Sequence, residues 1–306
     1  MKCNFCKSNI FSEVLEHYDN NCYVDKDMYQ LVKCKKCSLV TIENKPEPKA
    51  LAKYYENNYY SYDTGSSIFF RMKKAWVKRV SKFPNKIANT LLLGQLYILP
   101  KNKEASVLDI GCGDGSALLS LKELGWKDLY GTEIDPEQCK KLEEKNIKTF
   151  NLVDILDIKV KAETFDLIRM SHTLEHMYNP NEAMEKSFEL LKNGGSLLIA
   201  VPNFDSLASR IFGKYFCGLQ LPTHLYHFNK KVLIQMVEDK GFVVEKVFTN
   251  GYSGFAYSLL TLMKDKYKIK LNSKLEIILT LAFVPLELVL NFFGVGFILT
   301  FKAIKK

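Results

Sequence analysis

The chain has 306 residues, 47% of them hydrophobic and 25% charged, an ordinary globular balance that excludes disorder, collagen and coiled coil. Its 43 basic and 34 acidic side chains leave a net charge of +9, which favours anionic partners: phosphorylated small molecules, nucleic acid or lipid headgroups. Eight cysteines could form a disulfide framework, but a chain of this length needs none. The opening MKCNFCKSNIF also lacks a basic stretch, apolar core and cleavage site, so a reducing, cytoplasmic compartment is expected.

Residues 1–45 are turn-rich and Lys-laden. Here Cys3/Cys6 and Cys34/Cys37 form two CxxC pairs separated by 27 residues, whereas Cys22, Cys112, Cys139 and Cys217 are scattered. KCNFCKS and KCKKCSL each set two thiolates across a tight turn, and four soft ligands in tetrahedral array suit structural Zn2+. Local disulfides do not match a reducing compartment, and no thioredoxin-type strand and helix surrounds either pair. With all four positions filled by thiolate, the metal should fold the segment and do no chemistry. A small zinc-ribbon-like module is expected.

Pro46 and Pro48 end that module. Residues 46–103 then read as a tyrosine-rich linker, YYENNYYSYDTGSS, followed by a basic amphipathic lid helix. Ile68, Phe69, Met72, Trp76, Val80 and Phe83 recur at helical spacing among Arg71, Lys73, Lys74, Lys78, Arg79 and Lys82. Between Gly65 and Lys103 there are nine Lys or Arg and no acid. A solvated helix face and a surface for an anionic partner both fit.

From Ser106 apolar runs alternate with helical patterns through SVLDIG, GSALLSLKELG, LYGTEID, PEQCKKLEEKN, KTFNLVD, FDLIRMS and SLLIAVPN, the texture of parallel βαβ units. A doubly wound Rossmann-like α/β sheet is expected over residues 104–250. A helix near Lys230–Lys240 and a strand, GFVVEKVF, close this stretch. In VLDIGCGDG the strand turns through Gly111, Gly113 and Gly115 into a helix. The dinucleotide fingerprint has GxGxxG; here the third glycine is one residue early, and Asp109 at the strand end would repel a pyrophosphate and welcome an amino or sulfonium cation. Glu133 ends the second strand, 22 residues after Gly111, where a carboxylate can accept from ribose hydroxyls. Ile134 could lie on a base face, and Asp154, ending the third strand, could meet an exocyclic amine. Any one of these acids alone could be a solvated strand-end carboxylate.

VLDIGCGDG, GTEIDP, FDLIRMSHTLEHM, LLKNGGSLLIAVPN and HLYHF together resemble the class I S-adenosylmethionine-dependent methyltransferases. The resemblance runs from about Val107 to Lys246. It implies that Asp109, Gly111 and Gly113 hold the methionine end of S-adenosylmethionine, Glu133 the ribose and Asp154 the adenine. It also implies a seven-stranded sheet with an antiparallel last strand, for which GFILTFKAIKK is the candidate. With its cysteine module the chain resembles deoxysugar methyltransferases of antibiotic and polysaccharide pathways more than ribosomal RNA guanine methyltransferases. Their active-site E-H-x-x-Y element corresponds to Thr223-His224-Leu225-Tyr226-His227-Phe228. Thr223 stands where those enzymes carry an acid, and their additional C-terminal domain is missing, so transfer to oxygen or nitrogen is at least as well supported as transfer to carbon.

Methyl transfer from a sulfonium needs alignment and, for an alcohol acceptor, a base near neutrality. His224 is the first candidate and His227 the second, with a structural hydrogen bond as the alternative for each. His172, near the end of the fourth strand, borders the expected acceptor pocket, as do Tyr59 and Tyr62. His172 and His176, four apart, share a helical face and could hold a metal, though no third ligand is expected from HTLEH.

Between Ile277 and Phe301 the only charge is Glu287, a run long enough to cross a bilayer. Because residues 294–306 are needed as the final strand, residues 251–293 read as an apolar helical insertion. It could be buried, pair with a second subunit, lie on a membrane through residues 274–293, or span one. The function expected is methylation of a sugar or sugar-linked small molecule, including a sugar nucleotide or lipid-linked glycan. Two alternatives stay open. One is an RNA methyltransferase in which the knuckles and Arg71–Lys86 grip phosphates; the other is a non-catalytic cofactor-binding scaffold.

Overall fold

The computed structural model describes residues 1–19, 26–54 and 102–306. Strands β1 (Phe11–Tyr18), β2 (Met28–Cys34) and β3 (Val40–Ile42) make an antiparallel meander, followed by one helical turn, α1 (Pro48–Leu51). The tyrosine-rich stretch beyond Tyr54, with Tyr59 and Tyr62, and the basic amphipathic helix lie outside the described residues, as does Cys22.

β4 (Val107–Ile110) buries all four of its side chains, the pattern of a central parallel strand covered on both faces. It leads into α2 (Ser116–Glu123) through Gly115, whose φ of 70° is left-handed. β5 (Leu129–Glu133) follows, then α3 (Pro136–Glu143), capped by Asp135 accepting from Glu137 N–H and carrying Pro136 in its first turn. β6 (Lys148–Asn151) forms one edge, and β7 (Phe165–Ser171) pairs with β4 on the other side. α4 (Pro180–Leu190) runs directly into β8 (Leu191–Pro202), whose register against β7 slips across the stretch containing Gly194 and Gly195. Then come α5 (Leu207–Phe212), the two-residue β9 (Tyr226–His227), α6 (Lys230–Asp239) capped by Asn229, and β10 (Phe242–Asn250). Finally α7 (Gly254–Lys266), α8 (Ser273–Phe292) and β11 (Ile298–Lys305) complete the chain.

The large sheet has the order β10-β11-β8-β7-β4-β5-β6. β4 through β8 are mutually parallel where they pair, and β11 lies antiparallel to both neighbours. GFILTFKAIKK therefore supplies the antiparallel strand expected of it. The chain order reverses between β4 and β7, and such switch points open a crevice at the carboxyl ends of the strands.

The N-terminal segment is joined to this core. β9, from HLYHF, adds to the meander as its fourth strand, in the order β1-β2-β3-β9, with Val40 opposite His227 and Thr41 opposite Tyr226. Thr41 Oγ1 and Ile42 N–H both donate to the Leu225 carbonyl, at 2.8 and 3.2 Å. One apolar cluster runs from Cys3, Leu31 and Tyr54 through Leu225 and Phe228 to Ile199 and Phe301.

The apolar insertion is a helical hairpin between β10 and β11. α8 is a single helix of 20 residues that continues through Pro285. Glu287, which interrupts the apolar run in sequence, is 1% exposed and accepts from Phe255 N–H at 2.6 Å in the first turn of α7, where a helix favours a carboxylate. Leu275, Ile277, Ile278, Leu281, Val289 and Phe292 point outward.

Candidate active site

The carboxyl ends of β4, β5, β6 and β7 bring Gly111–Gly115, Glu133, Asp154 and His172 to one edge of the sheet. Gly111 and Gly113 have φ of 67° and 57°, a region that side chains other than glycine rarely adopt. A Cβ on Gly111 would lie 2.6 Å from Thr173 Cγ2, and Thr173 is itself fixed by donating to the Ile110 carbonyl at 2.9 Å. The glycine turn is thus shaped by φ and by close packing against the residue after His172.

Glu133, buried at the tip of β5, is held by three amides. Gly113 N–H donates to Oε2 at 2.8 Å, and Ile134 and Asp135 N–H donate to Oε1 at 2.9 and 3.2 Å. These amides fix the carboxylate at the tip of β5, where the ribose contact is expected. Beside it Ile134, Val153 and Leu156 are exposed at 54, 80 and 40%. Apolar side chains left open at the end of a sheet suit the faces of a planar base. Sequence reading named Ile134 but missed Val153 and Leu156, which lie in NLVDIL next to Asp154. Asp154 caps a helical turn by accepting from Leu156 N–H at 3.0 Å and stays half-buried at the rim.

Asp109 departs from expectation. Its two oxygens accept from Arg169 Nη1 at 2.7 Å each, across the β4–β7 pair in which the two residues are direct neighbours. Burial pushes this carboxyl up while Arg169 pulls it down. Asp109 is 1% exposed, so it does not offer an uncompensated charge to a cation. It supports the turn from beneath.

The histidines also reverse their expected order. His224 and His227 are 1 and 5% exposed, and neither reaches the open edge. Burial, with His176 and His227 close by, holds the His224 imidazole well below its usual range, and burial brings His227 to about 3. His224 Nδ1 lies 2.9 Å from the Gly218 carbonyl. Thr223, in the place of an acid, donates to the Gln220 carbonyl at 2.8 Å. His172 is the accessible one: its side chain is 40% exposed, its φ is 57°, and its Nδ1 lies 3.4 Å from the buried Glu175 Oε1.

The four cysteines of the paired motifs converge with all sulfurs within 4.8 Å of one another. Cys3 and Cys37 Sγ are 3.5 Å apart, Cys6 and Cys34 Sγ 3.4 Å, too long for disulfides. Both knuckles close alike. Cys3 N–H donates to Ser8 O and Lys7 N–H to Cys3 O; Cys34 N–H donates to Leu39 O and Ser38 N–H to Cys34 O. Lys7 and Ser38, each four residues past the first cysteine, take φ of 59° and 69°. Hydrogen bonding from Cys37, with help from backbone amides, pulls the Cys3 thiol down to about 5.

A methyltransferase-domain family model matches residues 81–247, over half of the chain. A protein of unassigned function from Methanocaldococcus jannaschii is 29% identical over 205 residues, 63% of this chain and 81% of its own length. The ubiquinone biosynthesis O-methyltransferase of a Chelativorans strain is 26% identical over 161 residues, 51% of this chain and 63% of that enzyme. In fold the chain is similar to one from the Haloferax volcanii complex of the Trm112 methyltransferase activator with its methyltransferase. That match has a TM-score of 0.50 at 15% identity, over 77% of this chain and 95% of the other. The glycine turn, Glu133 at the second strand tip and the inserted antiparallel strand agree with the sequence match: the chain belongs to the methyltransferase-domain family, as a class I S-adenosylmethionine-dependent enzyme.

Proposed function

We propose that this enzyme methylates a hydroxyl or amine of a sugar or sugar-linked small molecule, such as a sugar nucleotide or lipid-linked glycan, presented at the cytoplasmic face of a membrane. The observation that carries the transfer is His172. It stands exposed across the switch point from the glycine turn, and a buried carboxylate lies behind its Nδ1. S-adenosylmethionine, when bound, supplies an electrophilic methyl group. The chain's part is to align the acceptor and remove its proton. His172 Nε2 can take that proton, and Glu175 at Nδ1 steadies the resulting imidazolium. Thr223 offers no carboxylate for acidifying a carbon, which favours a heteroatom, and the Chelativorans relative is named as an O-methyltransferase.

The membrane surface is supported by α8, which has a mean hydropathy of 1.9 yet only 11% of its most apolar window buried. Lys264, Lys266, Lys268, Lys270 and Lys274, all exposed, lead into that face. An apolar face rimmed by lysine suits an anionic lipid surface. Spanning would draw β11 out from between β8 and β10, so the helix lies on the surface in this reading. The four thiolates suit structural Zn2+: ligands at about 2.3 Å from zinc stand about 3.8 Å apart in a tetrahedron, close to the sulfur separations here.

The test is transfer of a labelled methyl group to a panel of hydroxylated and aminated glycans, with His172→Ala and His172→Gln alongside wild type. Both variants should lose about 100-fold or more in kcat while binding the cofactor as before. Wild-type kcat in both would remove His172 from proton transfer. Binding of RNA that falls steeply with added salt, with RNA methylated and glycans untouched, would favour the nucleic-acid reading.

A further inference from the structure

Behind His172 lies a constellation that the methyl transfer does not use in full. Glu175, His176 and His224 bring one carboxylate oxygen and two ring nitrogens within 4.8 Å of one another. The two imidazoles are oriented from behind. His176 Nδ1 lies 2.9 Å from the Thr223 carbonyl and His224 Nδ1 2.9 Å from the Gly218 carbonyl. A carbonyl only accepts, so each Nδ1 carries the proton and each Nε2 carries the lone pair. A backbone carbonyl on the far nitrogen is the usual support of a metal-ligating histidine.

Glu175 is 1% exposed, and neither of its carboxylate oxygens has a hydrogen-bond donor among the described residues. The half-exposed His172 approaches it, with Nδ1 3.4 Å from Oε1. A carboxylate buried this way is costly unless a proton or cation compensates it. Its backbone is fixed, because Leu225 N–H donates to the Glu175 carbonyl at 2.8 Å. That contact ties the turn after β7 to the segment carrying His224.

We propose that Glu175, His176 and His224 form a binding site for a divalent first-row transition ion. Two neutral imidazoles and one carboxylate suit Zn2+, Co2+, Fe2+ or Mn2+ better than Ca2+ or Mg2+. An ion about 2.1 Å from each ligand sets the three atoms about 3 to 3.5 Å apart, a closure that side-chain torsions can supply. Three protein ligands leave a coordination position open, in contrast to the closed set of four thiolates. That position can take a water, since Glu175 and His224 are both buried away from the open edge. Ion binding does not depend on the transfer reaction proposed above. His227, its ring centroid 6.4 Å from that of His224, is outside the ligand set.

The experiment is expression and purification of the full chain in cobalt-supplemented medium, read by metal content and absorption spectrum. Wild type should carry two cobalt ions per chain. One gives an intense near-ultraviolet thiolate-to-cobalt band; the other gives weak visible bands alone. Glu175→Gln and His224→Ala should each lose the second ion, with at least tenfold weaker cobalt binding, and keep the thiolate band. Cys34→Ser should lose that band and keep the visible bands of the second ion, so failure at the thiolates is distinguishable. If His224→Ala does not fold, the nearly isosteric Glu175→Gln decides. Cobalt confined to the thiolate band in wild type, or cobalt content and visible bands unchanged in Glu175→Gln, would overturn the site.

Discussion

Glu133 does two things at once, and its substitution separates them from the rest of the pocket. Its carboxylate pins the Gly113, Ile134 and Asp135 amides and stands at the strand tip where a ribose hydroxyl is expected. Glu133→Ala should weaken S-adenosylmethionine binding at least tenfold, about 1.4 kcal/mol or more. It should also lower stability by about 1–3 kcal/mol, because the Gly113 amide loses a buried acceptor. Calorimetric titration and urea unfolding measure the two effects, and unchanged cofactor affinity would take Glu133 out of the ribose role. Glu133 was legible in the sequence because a strand tip is a local feature: the run LYGTE ends where its side chain must sit. Asp109 is legible as a strand-end acid, but its neighbour is not. Its partner Arg169 is 60 residues away, and only the β4–β7 register makes them adjacent. The same limit explains His224 and His227, whose chemistry is visible in sequence but whose burial depends on the segments folded over them.

At the scale of elements, periodicity carried the parallel strands and their helices, because each buries a pattern that its own residues declare. It could not carry β9. Two residues have no period, and Tyr226–His227 becomes a strand only because β3 offers an edge. Glu175 shows a different failure: HTLEH contains it, but its role depends on His224, which arrives from beyond β8. α8 was legible as an apolar helix, while which of its faces is covered was not. Glu287 faces inward onto α7, leaving Leu275, Ile277, Ile278 and Leu281 outside. Replacing Ile278 and Leu281, exposed at 60 and 51%, with glutamate should abolish co-sedimentation with vesicles containing anionic lipid. Melting temperature should be nearly unchanged, since neither side chain is buried. Equal vesicle binding by wild type and the double variant would exclude this face from membrane contact.

Across the whole molecule, the cysteine segment and the methyltransferase core share one fold. β9 completes the N-terminal sheet, Tyr178 donates to the Pro46 carbonyl at 2.6 Å, and the Asn4 side chain accepts from Asn181 N–H while donating to Glu182. A metal holding Cys3, Cys6, Cys34 and Cys37 would therefore brace more than residues 1–45. The second knuckle feeds directly into this sheet: Cys34 ends β2, and Cys37 stands three residues before Val40 of β3. Ligand-dependent folding energy is lost when the ligand is removed, and here the β3–β9 pair is one route by which that loss reaches the core. Chelation should first expose the knuckles, then remove hydrogen-exchange protection from Val40–Ile42 and from Leu225–Phe228 together, and lower the melting temperature of the whole chain. β4, β5 and β7, on the far side of the cluster, should retain protection until global unfolding. If exchange after chelation stays confined to residues 1–45 while Leu225–Phe228 remain protected, the two segments are independent and the shared sheet is a contact without energetic weight. If protection falls in both at the same chelator concentration, the thiolate site helps to hold in place the segment that carries His224 and borders the site of methyl transfer.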